Sequence, residues 1–247
     1  MTYQPFHIHG PDRPARWLVT CDHASNCVPD AINGGDLGLA PRDMTRHIAY
    51  DVGAAGVTRA LADLLNGPAI TSNFSRLVID PNRGEEDPTL LMRLCDGTII
   101  PANRHADTAE RERRLDMCHR PYHNALGDLA ARRDDTVLIA MHSFTPRYKG
   151  RPPRPWHIGV LYPPNDPAFS CALIKRLQQE PDLCVGDNEP YIGYLPGDAV
   201  NRHATTHNRP NALIEIRNDL IETDAQQSAW AKRLAPILEQ VLTETNL

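Results

Sequence analysis

The run Val137-Leu-Ile-Ala-Met141 constrains this chain more than any other, because five apolar residues in a row lead directly into His142 and Ser143. An unbroken apolar run of that length reads as a strand buried on both faces, as in a parallel sheet covered by helices. It delivers His142 and Ser143 to the strand's carboxyl end, where open α/β sheets usually carry their ligand sites. The same order recurs at Trp17-Leu-Val-Thr-Cys-Asp-His23, and Ala212-Leu-Ile-Glu-Ile216 sets an acid inside a third apolar run. Two strand-end histidines and a strand carboxylate meeting at one rim are the outline of a metal-assisted hydrolase.

Short strands are also expected at 69–73, 77–80, 157–162 and 183–185. Helices are expected from Pro41 to about Asn66, from Asp107 to about Arg133, from Asp166-Pro167 through Gln179, and from Asp224 onward. Strands alternating with helices predict a three-layer α/β/α fold around a mostly parallel or mixed sheet. With no repeat or linker in 247 residues, a single domain over 1–247 is expected, with residues 1–15 as an extended arm. Residues 84–106 mix Gly, Pro and charge, and predict a long loop over the active face.

A net charge of −5 gives no electrostatic reason to expect nucleic acid or an anionic membrane as partner. No apolar run approaches the roughly 18 residues of a membrane helix, and the first residues lack the apolar core of a signal peptide. The expected location is therefore cytoplasmic. Six cysteines without a Cys-x-x-Cys pair read as reduced thiols rather than a disulfide framework. Oligomeric state is open.

A catalytic zinc site takes three protein ligands from imidazole and carboxylate groups. His23 and His142 are the first two. Asp43, His47 and Asp51 recur every four residues on the helix expected after the His23 loop, so they would share one face. Asp43 and His47 lead for the third place, with Asp22 and Asp51 behind. Glu215, costly to bury between Leu213, Ile214 and Ile216 without a task, suits a general base that takes a proton from the attacking water. Arg76, Asn82 and Arg83 suit carboxylate recognition, and Ser143 a supporting hydroxyl. No G-x-S-x-G elbow, P-loop or dinucleotide fingerprint occurs.

The segments Asp22-His-Ala-Ser-Asn26, His47-Ile-Ala-Tyr-Asp51, Ser75-Arg-Leu-Val-Ile-Asp-Pro-Asn-Arg83, Arg120-Pro-Tyr-His123, Met141-His-Ser143 and Ile214-Glu-Ile-Arg217 together resemble the N-formylglutamate amidohydrolase family. The resemblance runs from about residue 17 to 222. It implies a zinc-carboxypeptidase-like (phosphorylase/hydrolase-like) fold and one zinc ion. It also implies hydrolysis of a formyl or similar acyl amide on an amino acid, a small-molecule substrate such as N-formylglutamate. By the same resemblance the metal histidines are His23 and His142, the strand glutamate is Glu215, and Arg76, Asp80, Asn82 and Arg83 form the substrate segment. The later histidine of the family's Arg-His pair maps onto His203, placing it with Arg76 and Glu215 among the catalytic groups. Asn26 stands where zinc carboxypeptidases carry a glutamate, so the third ligand comes from elsewhere. A peptidase or other deacylase of the carboxypeptidase clan and a non-catalytic binding protein for amino-acid derivatives are the alternatives.

Overall fold

In the computed structural model, which describes residues 3–164 and 168–247, the apolar runs assemble into one seven-stranded sheet. The strands and helices in chain order begin with β1 (Phe6–His9), β2 (Trp17–Cys21), α1 (Pro41–Met44), α2 (Ala54–Leu64) and β3 (Ala69–Ser72). A two-stranded hairpin follows, β4 (Leu94–Cys95) and β5 (Thr98–Ile99), then α3 (Thr108–Arg114) and α4 (Arg120–Ala131). The remainder is β6 (Val137–Phe144), β7 (Ile158–Leu161), α5 (Ala168–Leu177), β8 (Val185–Asp187), α6 (Ala199–His203), β9 (Asn211–Arg217) and α7 (Asp224–Thr245). The sheet order is β1-β3-β2-β6-β9-β7-β8. The four central strands β3, β2, β6 and β9 run parallel, and β1 and β7 are antiparallel to their neighbours β3 and β9.

β6 lies at the middle and is buried along its whole length. The strand period of two divides its side chains between two cores. Val137, Ile139 and Met141 pack with Leu61, Leu173, Leu234 and Leu238 from α2, α5 and α7. Leu138 and Ala140 pack on the other face with Tyr122, Leu126 and Val200 from α4 and α6. Helices on both faces of a mixed, mostly parallel sheet give the three-layer architecture expected from the sequence. α7 begins with a capping box at Thr223 and Gln226.

Three expectations differ in the structure. Residues 6–9 of the supposed arm form the edge strand β1, paired with β3 from Phe6↔Ser72 to His9↔Ala69. Leu77-Val-Ile-Asp80 is a turn rather than a strand. Ser75 accepts the Val78 amide on its carbonyl at 2.8 Å and the Leu77 amide on its hydroxyl, so Leu77, Val78 and Ile79 are buried without a ladder. The helix expected over 41–66 is two helices separated by residues 45–53. Gly53 stands at the N-cap of α2 with φ +80°, and a Cβ there would meet the Ile221 carbonyl oxygen at 2.1 Å. Only glycine fits, and the break removes Asp43, His47 and Asp51 from a common helical face. The expected Asp166-Pro167 cap lies outside the described residues.

The long loop at 84–106 is present, with the β4–β5 hairpin inside it. All six cysteines are free, and burial raises the thiol of Cys21 well above its usual range. No described helix is long and apolar enough to cross a membrane.

Candidate active site

The site is assembled where β2, β6 and β9 reach their carboxyl ends. His23 follows β2 by two residues, and His142 and Glu215 face each other in the β6–β9 register. Asp51 is brought to them by the irregular stretch ahead of α2. Its amide donates to the His23 carbonyl at 2.9 Å, which anchors the loop on the strand end.

His23, Asp51 and His142 can each offer one ligand atom, and those atoms lie within 4.8 Å of one another. Asp51 Oδ2 is 3.4 Å from His23 Nδ1 and 2.9 Å from His142 Nδ1. The opposite ring nitrogens face carboxylates. His23 Nε2 donates to Asp80 Oδ1 at 2.7 Å, and His142 Nε2 looks at Asp22 Oδ2 across 3.4 Å. The Tyr122 hydroxyl holds the other oxygen of Asp22 at 2.5 Å. Both Nδ1 atoms turn toward one point beside a third oxygen donor, and with carboxylates behind both imidazoles the ring protons would sit on Nε2 once an ion takes the two Nδ1 positions. All of these side chains are buried. Two imidazoles and one carboxylate with such outer partners fit a divalent metal of the zinc type.

The electrostatics are those of a charged cluster cut off from water. Burial alone would raise Asp51, but facing His23 and His142 it lies far below the ordinary carboxylate range. Burial would lower His142, yet Asp22 and Asp51 hold it well above the ordinary imidazole value. Burial carries Glu215 up to about 7, against the opposing pull of His142. Its Oε2 has no hydrogen-bond partner among the described residues. A buried carboxylate with an unpaired oxygen beside a ligand cluster is poised to take up a proton.

Among the expected third ligands, neither Asp43 nor His47 joins the cluster. Asp43 sits in α1 and pairs with Arg46 at 3.0 Å. His47 lines the cavity but faces Asp96 at 3.6 Å and the Tyr148 ring at 5.6 Å. Asp51, ranked behind them in the sequence, lies with His23 and His142 instead, in the irregular stretch between α1 and α2.

Arg76 gives Nε and Nη2 to Asp80 at 3.1 and 2.8 Å, which leaves Nη1 facing His23 Nδ1 at 3.3 Å and Asp51 Oδ1 at 3.8 Å. Asn82 and Arg83 line the same cavity. Asn82 accepts the Ala199 amide on Oδ1 at 3.3 Å, so its own N–H groups are left for a ligand. Ser143 also lines the cavity, but its hydroxyl donates to the Val52 carbonyl at 2.8 Å. Its backbone amide is the supporting group, donating to Asp51 Oδ2.

His203 does not line the cavity. Its ring lies end to end with that of His123, nearly coplanar, with Nε2 2.9 Å from His123 Nδ1, behind the Asp80–Arg83 segment, and burial lowers it to about 4. The sequence reading missed the far wall. Phe144, Tyr148, Leu161, Tyr191 and Leu213 line it, and Lys149 and Arg151 join them from the proline-rich loop. The Arg154 guanidinium stacks over the Tyr148 and Tyr191 rings at 4.1 and 4.9 Å. The aromatic and basic content of residues 144–155 was the signal available. The cavity holds about 570 Å³.

The sequence model of the N-formylglutamate amidohydrolase family matches residues 15–222. The crystal structure of gene product Atu2144 from Agrobacterium tumefaciens is similar over 100% of this chain and 98% of its own, at 31% identity and a TM-score of 0.92. N-formylglutamate amidohydrolase from Ralstonia eutropha JMP134 superposes over 98% of both chains, at 20% identity and a TM-score of 0.72. A bacteriophage poly-gamma-glutamate hydrolase shares the fold at 11% identity and a TM-score of 0.50, over 97% of this chain and 89% of its own. No protein of curated function matches the sequence.

Proposed function

The chain belongs to the N-formylglutamate amidohydrolase family, and on that premise we propose that it hydrolyses the amide of an N-acyl amino acid with the help of one zinc ion. N-formylglutamate is the first substrate to test. The observation that carries the reading is the convergence of His23 Nδ1 and His142 Nδ1 on Asp51 Oδ2, next to the buried, unpartnered Oε2 of Glu215. His23, Asp51 and His142 would hold the ion, which when bound supplies Lewis-acid polarisation of water and of the acyl carbonyl.

The chain's own residues supply the rest. Glu215 takes the proton of the attacking water as the new C–O bond forms. It later gives that proton to the amide nitrogen as the C–N bond breaks, releasing the acid and the free amino acid. Its raised affinity for a proton suits both halves of that cycle. Arg76 Nη1 points into the cluster and stabilises charge developing on the carbonyl oxygen. Asn82 and Arg83 bind the substrate carboxylate, and the buried surroundings exclude bulk water.

The cavity, about 570 Å³, lies in the range that holds a ligand larger than a formylated amino acid. Its aromatic wall favours a second reading within the same chemistry, a deacylase or peptidase with a larger acyl group. The test is acid and amine release from a panel running from N-formylglutamate to N-acyl amino acids with larger acyl groups, before and after chelation. Chelator-sensitive hydrolysis of any member supports the reading, and its position in the panel names the substrate. Hydrolysis of none, with zinc added, overturns it in favour of a binding protein.

A further inference from the structure

We propose that His119 and His123 are positioning residues for Asn82 and Arg83, acting through ring N–H bonds to the backbone on which that pair stands. The inference rests on the reading above that Asn82 and Arg83 take the substrate carboxylate.

Residues 81–83 belong to no helix or strand, so no ladder fixes their carbonyls. The imidazoles do it instead. His123 Nε2 donates to the Pro81 carbonyl at 2.9 Å, and His119 Nε2 donates to the Arg83 carbonyl at 3.0 Å. The two bonds bracket Asn82. Its amide donates to Asp80 Oδ1 at 2.9 Å, and its Oδ1 accepts from Ala199, so backbone and side chain are held on every side but the cavity.

The helix is shaped for this. Pro121 has no N–H to give to Met117, and the turn Leu115–His119 opens into a π-helix in which the Arg120 amide reaches the Leu115 carbonyl. His119, Tyr122 and His123 then turn together toward Asp22 and the 81–83 backbone, behind the cavity wall. Tyr122 holds Asp22, and the two histidines hold the loop.

A carbonyl only accepts, so each ring must carry its proton on Nε2. Burial keeps both rings below the ordinary imidazole range, hence neutral with one N–H each. His203 completes the set, since its Nε2 donates to His123 Nδ1 at 2.9 Å and fixes that tautomer. His119 Nδ1 is buried with no partner among the described residues. An apolar residue would fill that space without such a cost, so the imidazole is kept for the bond its other nitrogen makes.

The test compares the zinc-loaded protein with His119→Leu and His119→Gln, using an N-acyl amino acid and the same compound with its α-carboxylate replaced by a carboxamide. Leucine cannot donate, whereas the longer glutamine amide can. His119→Leu is expected to raise KM for the acid about tenfold, the size of one misplaced charged hydrogen bond, with kcat within about threefold. It is expected to leave the carboxamide unaffected, and His119→Gln recovers most of the loss. An equal effect on both substrates, or an effect on kcat alone, overturns the proposal. Should His119→Leu not accumulate, His119→Asn, too short to reach the carbonyl, replaces it.

Deuterium exchange of the substrate-free protein separates this inference from the functional one. Faster exchange over 80–84, with 140–144 unchanged, is expected in His119→Leu. Unchanged protection over 80–84 overturns the positioning role even if no N-acyl amino acid is hydrolysed. Faster exchange without hydrolysis in the wild type overturns only the carboxylate reading.

Discussion

His142 and Glu215 are register partners across the β6–β9 ladder, two buried side chains set on one face of the sheet. His142 turns Nδ1 to Asp51 at 2.9 Å, and Glu215 keeps Oε2 free of any partner. One rung of the sheet therefore carries both a ligand candidate and the group proposed to move the proton.

Replacing Glu215 by glutamine keeps the shape and removes the base. Turnover should fall by about 10²–10⁴-fold, the usual contribution of a positioned general base. Zinc content should not change, and the unfolding temperature should stay the same or rise, because an unpaired buried acid is removed. Steady-state rates, metal analysis and a thermal melt check the three parts. Wild-type turnover would remove Glu215 from the mechanism.

Asp80 sits behind His23 and sets its ring. Asp80→Asn should weaken zinc affinity by about 10–100-fold, the range for an outer carboxylate partner. Asp43→Asn should leave affinity alone, since Asp43 serves Arg46. Competition with a chromogenic chelator measures both variants.

The buried histidine pair predicts a pH dependence of stability. Burial holds His203 at about 4, and His123 shifts in the same direction. Between about 4 and the ordinary 6.5 the unfolded chain binds protons that the folded chain refuses, so stability rises with pH through that window. The full contribution is present above about 6.5 and is lost as pH falls toward 4, at up to about 1.4 kcal/mol per pH unit for each histidine. Urea midpoints from pH 4.5 to 7.5 should show the slope, and His203→Gln should flatten it. An unchanged slope in that variant would assign the acid sensitivity to other groups.

Gly53 is where the backbone turns Asp51 into the site. Gly53→Ala adds a Cβ at φ +80° against the Ile221 carbonyl oxygen. The loss should be at least about 1 kcal/mol, read as a lower denaturant midpoint at constant slope. No loss would mean that the break ahead of α2 tolerates a side chain.

Much of this layout was legible in the sequence. Val137–Met141, Trp17–Cys21 and Ala212–Ile216 are apolar enough to be central strands, and that places His23, His142 and Glu215 at one edge without coordinates. Asp51 was ranked behind Asp43 and His47, because the helix break before the left-handed Gly53 is invisible to a pattern of apolar spacing. Leu77–Ile79 looked like a strand because burial, not pairing, selects its side chains. His203, expected among the catalytic groups, lies instead against His123 outside the cavity lining, a neighbour that arises only from packing α4 against α6.

The most direct test is zinc stoichiometry after dialysis of the zinc-loaded protein, wild type beside Asp51→Ala. About one ion per wild-type chain and almost none in Asp51→Ala is the predicted result. A wild type that retains no ion would contradict the metal centre. An Asp51→Ala protein that keeps a full ion would contradict the ligand set of His23, Asp51 and His142.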